Sequence, residues 1–131
     1  MIAIDGSALI AILDDEPKRQ AFSAAFAGAD RCLVSAVNVQ ETGLVMHGRS
    51  KAQGISGLRD LITLIGAEIV PFDEPQVRAA PDAFTRYGQG IDPKTRLDLH
   101  DCAAYALAKS RNPPLLLEGD EFRATDVVAC L

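Results

Sequence analysis

The sequence predicts an α/β protein, a three-layer α/β/α sandwich around a mostly parallel, about five-stranded sheet. Short apolar runs of strand length alternate with segments of helical periodicity along all 131 residues. The runs are apolar on successive positions, as strands covered by helices on both faces are. Right-handed crossovers between such strands put helices on both sides of the sheet.

The first strand is Ile2–Ile4, and Asp5 follows it directly. Ser7 can cap a helix whose apolar stripe is Leu9, Ile12 and Leu13, ended by Asp14-Asp15-Glu16-Pro17. A helix over Gln20–Phe26 leads to a second strand, Cys32–Val34. Ser35 can cap the next helix, Ala36 to about Met46, which Gly48 stops. Ser56 can cap another, with Leu58, Leu61, Ile62 and Ile65 on its core face and Gly66 at its end. A third strand, Glu68–Phe72, runs into Asp73 and Pro75, the start of a helix expected to turn Val77, Phe84 and Tyr87 inward. Gly88-Gln89-Gly90 and Asp92-Pro93 mark the longest loop. Beyond it come a helix from Asp98 to about Lys109, a fourth strand at Leu115–Leu117 and a short fifth at Val127–Val128.

Length fits one domain over residues 1–131, and 48% apolar with 24% charged residues excludes disordered, collagen-like and disulfide-scaffold chains. Eighteen acidic against thirteen basic residues leave a net charge of -5, which excludes nucleic-acid binding by bulk attraction; any such chemistry must be local. Cys32, Cys102 and Cys130 have neither CxxC spacing nor His partners, and read as reduced thiols of a cytoplasmic protein. Residues 1–5 show no basic leader segment, and no apolar run approaches the roughly 20 residues of a membrane span.

Ligand sites in parallel sheets lie at the carboxyl ends of strands, and several carboxylates gather there. Asp5 is one, and it can equally be a cap for the helix it precedes. Glu41 shares a helical face with Val37, Leu44 and Val45, where a carboxylate is costly unless a cation, such as an Arg of a neighbouring helix, or several donors meet it. Asp101 stands three residues after Asp98, the spacing of a capping box. The segment 118–126 adds Asp120 and Asp126 at the same edge. Carboxylates crowded together repel, raise one another's pKa and are tolerated mainly around hard divalent cations, which points to Mg2+, with Mn2+ as the alternative.

With these residues in view, the chain resembles the PIN-domain ribonucleases, and among them the VapC toxins of VapBC toxin–antitoxin pairs. The resemblance rests on four stretches in order. They are Met-Ile-Ala-Ile-Asp5-Gly-Ser7; Val-Ser-Ala-Val-Asn-Val-Gln-Glu41-Thr; Arg86-Tyr-Gly-Gln-Gly with Leu97-Asp98-Leu-His-Asp101-Cys-Ala-Ala-Tyr; and Leu115-Leu-Leu-Glu-Gly-Asp120 through Thr125-Asp126-Val. It implies a metal-dependent endoribonuclease acting on tRNA or rRNA, a homodimer held inactive by a cognate antitoxin. Asp5, Glu41 and Asp101 then form the acidic core and metal ligands, with Ser7 as the hydroxyl beside the metal. Relatives often carry Asn and Gly where this chain has Asp98 and His100. Many place an Asp directly after the fourth strand, where Gly119 stands here, so Asp120 or Asp126 is expected to supply the fourth acid and support a second ion.

Arg86, Lys94 and Arg96, which flank the loop before Asp101, are the expected phosphate contacts, with Arg49 and Lys51 as further candidates. His47 and His100 lack a ligand partner three or four residues away and read as incidental. The expected surface for the antitoxin is an apolar groove around Leu13–Phe26 and Ala52–Ile65. Two other classes compete: a phospho-acceptor receiver domain, which wants adjacent acids after the first strand and a Lys after the last, and a catalytically inactive PIN-like binding module.

Overall fold

Strands buried on both faces send alternate side chains to opposite sides, and each side then needs its own helical cover. The computed structural model describes residues 1–130 and has this organisation. Strands β1 (Ile2–Ile4), β2 (Cys32–Ser35), β3 (Glu68–Val70) and β4 (Leu115–Leu116) form a parallel sheet in the order β3-β2-β1-β4. Ile4, Val34 and Leu116 face one side, packed under α1 (Gly6–Leu13), α2 (Arg19–Gly28) and the C-terminal half of α3 (Ala36–Ile65) through Leu9, Phe22, Leu58 and Leu61. Ala3, Leu33 and Leu115 face the other side, under α4 (Glu74–Tyr87) and α5 (Leu99–Arg111), with Ala83, Tyr105 and Leu107. Leu9, Phe22 and Leu33 are fully buried, and truncating any of them to Ala removes about 2–5 kcal/mol.

Four details differ from the sequence expectation. The fifth strand shrinks to a single bridge between Leu115 and Ala129, with the Leu115 N–H donating to the Val128 carbonyl (2.8 Å) and the Cys130 N–H to that of Leu115 (2.9 Å). A two-residue β4 followed by a tightly turned segment offers too little edge for more. The expected helices at 36–46 and 56–65 are the two halves of α3, separated by a break but longer than expected: the first runs on past Gly48, and the break comes at Ser50 and Lys51, whose φ of -138° and +55° leave the helical range. Gly54 lets the two halves close up, because a Cβ there would run into the Met46 carbonyl. In α4, Val77 and Phe84 are outward, at 49% and 40% exposure, while Gln76 and Ala83 are inward. The Asp73 carboxylate fixes that phase: it accepts from the Gln76 side chain (3.3 Å), which also donates to the Pro71 carbonyl (3.0 Å).

Candidate metal centre and active site

From β1 the chain steps one way to β2 and β3, then crosses over to β4 on the other side of β1. The carboxyl ends of β1 and β4 therefore flank a topological switch point, the crevice where open α/β sheets bind ligands. Asp5 leaves β1 at this point, buried, and caps α1: its Oδ2 accepts from the Ser7 N–H (3.1 Å) and from Ser7 Oγ. Ser7 Oγ in turn accepts from the Glu118 N–H at 2.9 Å, tying the segment after β4 to the start of α1. Burial raises the Asp5 pKa; the two Ser7 hydrogen bonds oppose the rise, and the charges of Glu121 and Asp98 add to it.

Glu41 arrives from α3. The buried face of that segment is Asn38, Thr42 and Met46 rather than the Val37, Leu44 and Val45 stripe, and Leu44 is 69% exposed. A polar stripe faces inward because it covers the crevice, where α1 comes close. A Cβ on Gly6 would press on Thr42 Oγ1 and lie 3.7 Å from Glu41 Oε1, so this glycine permits the approach of Asp5 and Glu41. Among the described residues Glu41 pairs with no Arg; its Oε2 lies 2.7 Å from His100 Nδ1. Burial raises the Glu41 pKa, His100 counters the rise, and the charges of Asp98 and Asp5 reinforce it.

At the start of α5, Asp98 Oδ1 accepts from the His100 and Asp101 N–H groups (2.9 Å each), and Asp101 Oδ2 accepts from the Asp98 N–H at 3.0 Å. This is a complete capping box. The same Asp101 lies within the field of the other acids, and its pKa is pushed up to about 8, first by burial and then by the charges of Asp5 and Asp98 against the Asp98 N–H bond. Asn38, fully buried, donates Nδ2 to the His100 carbonyl at 3.0 Å and locks α5 to α3.

Asp5, Glu41, Asp98 and Asp101 thus meet from three elements far apart in the chain. The tightest donor group is Glu41, Asp98 and His100, which offer one ligand atom each within 4.8 Å of one another. Sequence spacing gives Asp98 only a capping role and makes His100 incidental, because the partner of His100, Glu41, lies on another helix. The segment after β4 contributes differently from expectation. Asp120 is exposed and pairs with Arg123 (3.1 Å). Asp126 accepts from the Tyr105 hydroxyl (2.7 Å) and Lys109 Nζ (3.0 Å), and the structure brings neither Asp120 nor Asp126 into the cluster. Glu121 is the acid of that segment whose charge reaches Asp5. It folds back over Gly119, which turns the chain at a φ of +117°. That glycine, where an Asp was looked for, was the available signal.

Of the expected phosphate contacts, Arg86 donates to the Tyr105 hydroxyl, stands 4.9 Å over the Tyr87 ring and lies 3.9 Å from Asp126. Arg49 pairs with Asp14, while Lys51 is exposed at the α3 kink. Lys94 and Arg96 are exposed on the loop leading to Asp98 and form no ion pair among the described residues.

The donor set is carboxylate oxygen with one imidazole, and three of the acids have raised pKa values because they repel and are partly dehydrated. A divalent cation would relieve both effects, so these residues fit a metal ion. An α/β sheet that gathers such acids at its switch point would hold a cation there, and this arrangement sets the class of protein. A model of the PIN domain family matches residues 2–128, and the chain belongs to that family.

Within it, the chain sits among the VapC ribonucleases. It is 38% identical over 128 residues to a Ribonuclease VapC of Mycolicibacterium smegmatis, covering 98% of both chains. It is 36% identical over 128 residues to Ribonuclease VapC28 of Mycobacterium tuberculosis, covering 98% of this chain and 96% of that one. The fold matches that of M. tuberculosis VapC20, a sarcin-ricin loop cleaving toxin, with a TM-score of 0.79 at 12% identity over 98% and 97% of the two chains. It also matches a chain of VapBC2 from Rickettsia felis bound to a promoter DNA fragment, with a TM-score of 0.78 at 15% identity over 98% and 96%. Family membership displaces the receiver-domain alternative. No helix among the described residues is long and apolar enough to cross a membrane.

Proposed function

We propose that this protein is a metal-dependent endoribonuclease that hydrolyses RNA phosphodiester bonds as the toxin of a type II toxin–antitoxin pair. The observation that carries the proposal is the convergence of Asp5, Glu41 and Asp101, with Asp98, at the switch point of the sheet. The VapC ribonucleases to which the chain is 36–38% identical over nearly its whole length support the same chemistry. Asp5, Glu41 and Asp101 are the proposed ligands of Mg2+, with Mn2+ as the alternative. Such an ion, when bound, screens the phosphodiester charge and lowers the pKa of a coordinated water.

The chain's own residues do the rest. Ser7 holds Asp5 in place through two hydrogen bonds and ties it to Glu118. Asn38 holds the start of α5 against α3, and the Asp98 cap orders the first turn that carries Asp101. Lys94 and Arg96 are free to meet phosphates of tRNA or rRNA, whereas Arg86 is committed to Tyr105 and Asp126. The antitoxin site is an apolar groove between α1, α2 and the end of α3, lined by Ile12, Phe26, Leu61, Leu64 and Ile65 with Arg19 at its rim. The protein acts as a homodimer in the cytoplasm; α4 and α5 leave Val77, Phe84 and Leu99 exposed as an apolar face.

The test is cleavage of total tRNA and rRNA by the purified protein with Mg2+, Mn2+ or EDTA, with sequencing of the new 5′ ends. Metal-dependent cuts at discrete positions, abolished in Asp5→Asn, are expected. A correctly folded protein that cuts no RNA with either ion would leave the inactive-module reading standing.

A further inference from the structure

Resting on the acidic-cluster reading above, we propose that His100 supplies an imidazole nitrogen to the ion held there, so that this chain carries a mixed nitrogen–oxygen site that prefers Mn2+ to Mg2+. His100 is not loosely placed. Its N–H donates to Asp98 Oδ1 (2.9 Å), and its carbonyl accepts from the fully buried Asn38 (3.0 Å). The ring is therefore delivered at the first turn of α5, facing α3. There its Nδ1 lies 2.7 Å from Glu41 Oε2, and it belongs with Glu41 and Asp98 to the donor group that fits within 4.8 Å.

The side chain is 35% exposed, so the ring is not enclosed by protein. An ion taken up there would replace the Glu41–His100 contact, with a ring nitrogen of His100 and a Glu41 oxygen both turned to it, as their 2.7 Å separation allows for two ligands of one cation. Mg2+ is bound almost wholly by oxygen and holds its waters tightly, whereas Mn2+ accepts imidazole more readily. One nitrogen donor among carboxylates consequently biases the site toward Mn2+. Asn38, which holds the His100 carbonyl through Nδ2, leaves its buried Oδ1 without a hydrogen-bond partner among the described residues.

The chain has two histidines, His47 and His100, so a nitrogen signal can be assigned directly. The experiment measures Mn2+ and Mg2+ affinities of the tag-free protein by calorimetry, and the electron spin echo of bound Mn2+, for wild type, His100→Ala, His47→Ala and Asp101→Asn. The expected result is imidazole nitrogen modulation in wild type and His47→Ala that disappears in His100→Ala. It comes with at least about a tenfold loss of Mn2+ affinity and a much smaller loss for Mg2+. If Mn2+ binds, is lost in Asp101→Asn, and shows no nitrogen modulation or an equal loss of both ions in His100→Ala, the inference is overturned and the acidic cluster remains the metal site. Absence of Mn2+ binding, or binding indifferent to Asp101→Asn, would overturn both.

Discussion

Asp101→Asn separates the electrostatic cost of the site from its capping role. The side chain accepts the Asp98 N–H with one oxygen, and Asn presents an equivalent oxygen, so the capping box survives. What changes is charge. In the folded protein the Asp101 pKa is pushed up to about 8, against 3.8 for the free group. Between those values the folded state holds a proton that the unfolded state has released, so stability falls as pH rises from about 4 to about 8 and is level outside that window. At about 1.4 kcal/mol per pH unit the full effect at pH 7 is roughly 4 kcal/mol. Solvent near the crevice and relaxation of neighbouring groups reduce it to about 2 kcal/mol. Asp101→Asn removes that loss. In EDTA, the variant and wild type should melt together near pH 4 and separate as pH rises, with the variant higher by about 5 °C at pH 8. A smaller slope remains in the variant from Asp5 and Glu41, whose pKa values are also raised. A variant no more stable than wild type at pH 8, or one whose pH profile runs parallel to it, would refute the self-repelling cluster.

Four further outcomes follow from the same geometry. Asp5→Asn should lose RNA cleavage by at least about 100-fold while its metal-free melting temperature is equal or higher, because a cation-binding charge is removed from a repelling group; paired activity assays and melts check this. Glu41→Gln should leave metal-free stability unchanged or raised, and shrink the stabilisation seen across a Mg2+ titration, since affinity for the ion is what supplies it. Asp126→Asn, which weakens the Lys109 pair, should cost about 0.5–1 kcal/mol in urea unfolding and leave metal affinity untouched. Leu64→Lys alters a side chain that is 83% exposed, so it should move stability by less than about 0.5 kcal/mol. It should still weaken co-purification with the proposed antitoxin.

The layered α/β architecture was legible because strand-length apolar runs survive any detail of packing. Ile4 and Val34 on one face and Ala3 and Leu33 on the other follow from strand geometry alone. Helix phase was less legible. Val77 and Phe84 read as inward because they are large and apolar, yet the Asp73–Gln76 cap sets a rotation that buries Ala83 instead. Asp5, Glu41 and Asp101 could be picked out as acids at unusual places, whereas His100 could not, since its meaning depends on Glu41 from another helix. For Asp126 the decisive fact is equally long-range: Tyr105 and Lys109 on α5 hold it away from the crevice. Local spacing identifies candidates, and only tertiary proximity sorts them.

The kink at Ser50 and Lys51 divides α3 into two halves with separate duties. The first half carries Asn38, Glu41 and Thr42 to the crevice, and the second carries Leu58, Leu61 and Leu64 to the α1–α2 side. Gly54 lies against the Met46 carbonyl and Leu58 reaches back to Gly43, so the halves brace each other across the bend. Positions beyond it are therefore unequal: Leu64, 83% exposed, is open to change, whereas a larger side chain at Leu58 would press on the turn that carries Glu41.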